Sequence, residues 1–181
     1  MGNVDAGFAG KDHFALFDLP RRYAVDRDVL EAKFRDLQAR VHPDKHAHLG
    51  ETERRLAMQW ATQVNEAYQT LRDPVKRGRY LLQLGGHDPQ IETNTAMPAE
   101  FLMEQMELRE TVAEAAEIGD ADNLDALHRR VRKEMAAQHE RLREAIDERQ
   151  DFGRAGELVR QLMFQEKLLH DIDAALEATE A

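Results

Sequence analysis

Leu30-Glu31-Ala32-Lys33-Phe34-Arg35-Asp36-Leu37-Gln38-Ala39-Arg40-Val41-His42-Pro43-Asp44-Lys45-His46 contains a helix, its end and the turn that follows. Leu30, Phe34, Leu37 and Val41 recur at i, i+4, i+7 and i+11, the spacing of one helical face. Pro43 cannot continue the hydrogen-bond ladder and disfavours helical geometry at His42, so the helix must stop there. Beyond the turn, Ala57, Trp60, Ala61, Val64, Ala67, Tyr68 and Leu71 form a second stripe. The two runs predict antiparallel helices joined by a loop at His42-Pro43-Asp44.

The rest of the chain shows the same periodicity. A shorter helix opens near Asp73-Pro74, with Asp at the cap and Pro in the first turn, and ends with Tyr80, Leu81, Leu82 and Leu84. Leu124, Leu127, Val131, Met135, Leu142 and Ile146 form a third stripe, and Ala155, Leu158, Leu162, Leu169, Ile172 and Leu176 a fourth. No segment alternates apolar and polar residues over several positions, so the predicted class is all-α. Gly85-Gly86-His87-Asp88-Pro89 and the polar sequence up to Pro98 break the helical pattern and mark a boundary.

That boundary also divides the charge. Residues 1–86 carry 14 basic and 12 acidic side chains, and residues 87–181 carry 11 and 23. The net charge of −10 is therefore a module of +2 followed by one of −12. An acidic chain is a poor coat for nucleic acid, whose binding needs clustered Lys and Arg. The 181 residues include no cysteine, which excludes disulfides, thiolate metal sites and cysteine nucleophiles. Serine is absent too, so serine nucleophile chemistry is excluded. No apolar run approaches the ~18–20 residues of a membrane span. The N-terminus has no signal-peptide pattern, and the expected compartment is the cytoplasm.

One predicted helix has more apolar surface than a single core needs. In Phe101-Leu102-Met103-Glu104-Gln105-Met106-Glu107-Leu108-Arg109-Glu110, the residues Phe101 and Leu108 align with Val112 and Ala115 in one seam. Leu102, Met103 and Met106 fall on the opposite side with Glu110, Glu114 and Glu117. Such a face is either buried within the bundle or a partner site, and methionine is favoured at adaptable binding surfaces. Phe164 is similarly turned away from the stripe centred on Leu162. It either packs on a neighbouring domain or joins the Leu/Met face.

An isolated His-Pro-Asp is usually only a turn. Here it follows a helix bearing Lys33, Arg35 and Arg40, of which Lys33 and Arg40 lie together beside the core edge. Asp12-His13-Phe14-Ala15-Leu16-Phe17-Asp18-Leu19-Pro20 precedes that helix, and Asn65-Glu66-Ala67-Tyr68 to Asp73-Pro74, then Arg77 and Tyr80, follow it. The set resembles the J domain of DnaJ-type co-chaperones over about residues 11–82. The resemblance implies that His42, Pro43 and Asp44 stimulate ATP hydrolysis by a DnaK-type chaperone. Lys33, Arg40 and Lys45 would dock on its acidic surface.

The Phe101–Glu110 run, the opening Phe14–Pro20 and Tyr80-Leu81-Leu82-Gln83-Leu84 narrow the likeness. Over about 11–178 the chain resembles the HscB family, the J-domain co-chaperone of iron–sulfur cluster assembly. That resemblance implies an L-shaped all-α protein: a J domain at 11–84, a linker at 85–97 and an antiparallel three-helix bundle at 98–178. Residues 1–10 are expected to be a disordered extension. It also implies that Leu102, Met103, Met106, Glu107, Glu110, Glu114 and Phe164 bind an IscU-type cluster scaffold, delivered to an HscA-type chaperone. Met106 replaces the family's commoner leucine, a volume-conserving change. The absence of a cysteine-rich N-terminal zinc segment and of a transit peptide points to a bacterial form. The expected protein is no enzyme and holds no cofactor or metal.

Three alternatives stay open in the residues alone. The J domain could serve a different client. His42, His46 and His48 beside Asp44 could hold a metal, although their spacing matches no strong pattern. The second apolar face could join two copies of the chain.

Overall fold

A computed structural model describes residues 10–42, 50–87 and 97–180. All secondary structure among these residues is helical: α1 His13–Leu16, α2 Arg27–Val41, α3 Glu51–Arg72, α4 Pro74–Leu84, α5 Ala99–Ile118, α6 Ala121–Arg143 and α7 Phe152–Glu180. A π-helical turn, Glu144–Arg149, extends α6. Two compact units divide the chain between Leu81 and Leu82, within α4.

In the first unit, local chemistry fixes where each helix starts. Asp12 caps α1 by accepting from the Ala15 N–H at 2.9 Å. Asp26 caps α2 by accepting from the Asp28 and Val29 N–H groups at 3.0 and 3.1 Å. Asp73 accepts from the Val75 and Lys76 N–H groups at 2.9 and 3.0 Å and starts α4, with Pro74 at the first helical position as the sequence predicts. The helix α2 ends at Val41, and His42 takes an extended ψ of 128°, as a residue before proline must.

The two long helices α2 and α3 pack along each other, and Phe34 stacks on Tyr68 with centroids 3.9 Å apart. Phe14, Phe17, Leu30, Val41 and Leu71 form the buried centre. Tyr80 ties α4 back to α1. Its ring stacks on His13 at 4.3 Å, and its hydroxyl accepts from the His13 N–H at 3.1 Å.

The second unit is an up-down-up bundle of α5, α6 and α7, whose core includes Leu124, Leu142, Leu158, Leu162, Leu168 and Ile172. The observed seam of α5 is Gln105, Leu108, Val112 and Ala115. Phe101, expected in that seam, is only half-buried, and Gln105 takes the place beside Leu108. Leu168 is fully buried where Leu169 was expected, and Leu169 and Leu176 lie half-buried at the edge of the α7 stripe. The bundle interior is also more polar than the apolar pattern implied. Gln138 donates from Nε2 to Gln161 Oε1 at 2.7 Å, and Gln105 and Gln165 are buried with them. A buried amide pair joining α6 to α7 penalises any slip between them, because slipping would strand both groups without partners.

Candidate functional site

The first candidate surface lies on α2 in the first unit. Lys33 and Arg40 line one cleft together with Leu16, Phe17, Asp18, Ala32, Asp36 and Leu37. The helical spacing of seven residues brings both cations to one side, as the wheel predicts. Lys33 is held: its Nζ donates to the Asp18 carbonyl at 2.7 Å and stands 3.6 Å from the Asp18 carboxylate. Arg35 points to the other flank and pairs with Glu31 at 2.7 Å. His42 is exposed at the end of α2. Pro43, Asp44 and Lys45, with His46 and His48 of the metal alternative, lie outside the described residues. Among the described residues, no cluster of three or more His, Asp or Glu side chains is placed to hold a metal ion.

The second candidate surface lies on α5. Met103 and Met106 are 62% and 65% exposed, although the opposite side of the same helix is buried in the core. Leu102 is half-buried, and Glu107, Glu110 and Glu114 are exposed around them. The structure thus resolves one of the two readings for Met103 and Met106: they are not bundle core.

Phe164, on α7, is half-buried. The helices α5 and α7 pack together, and connectivity makes them parallel. Their C-terminal ends meet where a Cβ on Gly119 would lie 3.8 Å from the Thr179 methyl group. At ~1.5 Å per residue, Leu102 is about 26 Å from Gly119 along the axis and Phe164 about 23 Å from Thr179. Phe164 therefore stands at the level of Leu102 on the adjacent helix.

The opposite side of α5 is built differently. There Phe101 and Glu104 line a polar cleft with Gln138, Gln161 and Gln165. Arg130 of α6 bridges Glu104 at 2.9 Å and Glu134 at 2.8 Å. Sequence reasoning missed Asp18 as the partner of Lys33, because a contact spanning 15 residues leaves no periodic trace.

Comparison with known proteins agrees with this two-part organisation. Residues 12–80 match the DnaJ domain, and residues 97–173 match the family described as the HSCB C-terminal oligomerisation domain. These matches and the helical fold define a J-domain co-chaperone with a second helical domain, a class that works with a DnaK-family chaperone. The chain belongs to the HscB co-chaperone family. It is 54% identical to the co-chaperone protein HscB homolog of Aromatoleum aromaticum, over 94% of this chain and 96% of that one. Chaperone HscB from Vibrio cholerae superposes with a TM-score of 0.82 at 34% identity, covering 92% of this chain and 98% of that one. The crystal structure of human co-chaperone protein HscB gives a TM-score of 0.86 at 29% identity, covering 96% and 91%. Among the described residues, no helix is long and apolar enough to cross a membrane.

Proposed function

We propose that this protein is an adaptor in iron–sulfur cluster assembly that brings an IscU-type scaffold to an HscA-type chaperone. Its J domain spans about 11–84, its linker 85–97 and its scaffold-binding bundle 98–178. Lys33, Arg40 and Lys45 attract the acidic chaperone surface, and His42, Pro43 and Asp44 promote ATP hydrolysis there. Leu102, Met103, Met106 and Phe164 receive an apolar part of the scaffold, and Glu107, Glu110 and Glu114 orient it. The chaperone then switches to tight client binding, which favours cluster transfer. Carrying both contacts on one chain raises the effective concentration of scaffold near the chaperone. The work is done in the bacterial cytoplasm, and the cluster stays on the client's own ligands.

The observation that carries this reading is the pair of exposed methionines on a helix whose other face is already committed to the core. Exposed methionines one helical turn apart, on a helix that already has a core face, support a partner site. Replacing Leu102, Met106 and Phe164 together by Ala should weaken scaffold binding roughly 10- to 100-fold in calorimetry, the effect of losing anchor side chains at an interface. The melting temperature should fall by a few degrees only, since Met106 is exposed and Leu102 and Phe164 are half-buried, not core. Unchanged affinity would remove the scaffold reading, and a collapsed melting temperature would return these residues to the core.

A further inference from the structure

Among the described residues, three helices end in the same hydrogen-bonded turn. At the end of α4, Gly86 N–H bonds to Gln83 O and His87 N–H to Leu82 O; at the end of α5, Gly119 N–H bonds to Ala116 O and Asp120 N–H to Ala115 O. In both, the residue forced into the left-handed region is glycine, at φ +75° and +68°. The end of α1 repeats the pattern, with Asp18 N–H bonded to Ala15 O and Leu19 N–H to Phe14 O. There the left-handed residue is Asp18, at φ +49°. Asp tolerates that region better than most residues, but glycine is the unstrained choice. Gln150, at φ +52° after the π-helical turn, is the other non-glycine residue in that region among the described residues, so what sets Asp18 apart is the carboxylate it places there.

What the carboxylate faces is Lys33. The Lys33 ammonium is fixed on the Asp18 backbone carbonyl at 2.7 Å and lies 3.6 Å from the carboxylate; the lysine side chain is 35% exposed and the aspartate side chain fully exposed. Lys33 shares its cleft with Arg40 over an apolar floor of Leu16, Phe17 and Leu37. An anion set beside one of the cations reduces the positive field an acidic partner meets, whereas the carbonyl anchor is backbone and stays whatever the side chain.

We propose that Asp18 is a specificity-determining residue of the chaperone-docking face, its carboxylate offsetting the Lys33 charge so that the unbound protein presents a weaker basic surface than its sequence implies. An acidic chaperone surface must compete with Asp18 for the Lys33 ammonium. This sets a threshold against weakly acidic partners, and it rests on the chaperone-docking reading given above.

The test measures the concentration of this protein that gives half-maximal stimulation of the HscA-type ATPase. Asp18→Asn removes the charge while suiting the left-handed backbone, and Asp18→Gly removes the whole side chain. Each is made with Lys33 intact and with Lys33→Ala, at low and at high salt. Both variants should lower the half-maximal concentration by roughly two- to fivefold at low salt, the range of an exposed ion pair. The gain should vanish at high salt and in the Lys33→Ala background. Asp18→Gly should also raise the melting temperature by relieving the turn, whereas the charge effect must appear equally in Asp18→Asn. No shift in either variant, or the same shift without Lys33, overturns the role of Asp18 and leaves the docking reading intact. Failure of the unmodified protein to stimulate the chaperone at all overturns both.

Discussion

His13 and Asp12 show how burial and bonding pull neighbouring groups in different ways. Burial would raise the Asp12 carboxyl, but the Ala15 N–H and the Arg21 guanidinium bring it below the usual carboxylate value. His13 lies flat against Tyr80, and burial lowers its imidazole below the ordinary 6.5, with Glu66 and Asp12 opposing. A histidine whose folded pKa is depressed is protonated more readily in the unfolded chain. Its contribution is therefore complete above the unfolded pKa and is lost as pH falls through ~6.5 toward the folded value. The melting temperature of the first unit should accordingly drop over that window by more in the parent protein than in His13→Phe, which keeps the ring stack and cannot protonate. Equal pH profiles would show that His13 does not couple folding to protons. Lys33 and Arg40 were legible from the helical wheel because seven residues return a side chain to one face. The restraint on Lys33 was not, since it comes from a loop residue placed only by tertiary packing.

The helices α5 and α7 were the hardest elements to read, for a physical reason. A helix with two apolar faces has no single direction of hydrophobicity, so periodicity gives two candidate seams. In α5 the expected seam of Leu108, Val112 and Ala115 is buried, while Gln105 in place of Phe101 is a choice that apolar spacing cannot anticipate. The turns, by contrast, followed from single residues: Asp73-Pro74 opens α4, and Val41 before His42-Pro43 closes α2. The π-helical turn Glu144–Arg149 left no sign in the pattern, because Leu142 and Ile146 are buried at ordinary helical spacing. At the α5–α6 corner, Gly119 sits at φ +68° with room for a Cβ, whose nearest neighbour would be 3.8 Å away. The cost of Gly119→Ala is thus conformational, not steric, and should be ~1–2 kcal/mol. A melting temperature lower by several degrees should accompany it. An unchanged melting curve would mean that the corner adopts another turn without loss.

Across the whole chain, the division of charge parallels the division of labour proposed above. The +2 half carries the basic helix, and the −12 half carries the carboxylates that rim Met103 and Met106. The absence of cysteine means that this chain offers no thiolate ligand of its own, which fits the proposed role of carrying a client whose cluster stays on the client's ligands. The all-helical class and the membership in the HscB family were legible because helical periodicity and the sequence runs around Phe14, His42 and Phe101 are carried by local residue order. In the proposed function, one chain couples scaffold capture to chaperone activation. The most direct measurement of that coupling is the ATPase rate of the HscA-type chaperone with and without the IscU-type scaffold, using the parent protein and His42→Gln. The parent protein and scaffold together should stimulate hydrolysis by more than the sum of their separate effects, while His42→Gln binds scaffold normally and stimulates little. Full stimulation by His42→Gln, or simple additivity of parent protein and scaffold, would contradict the account.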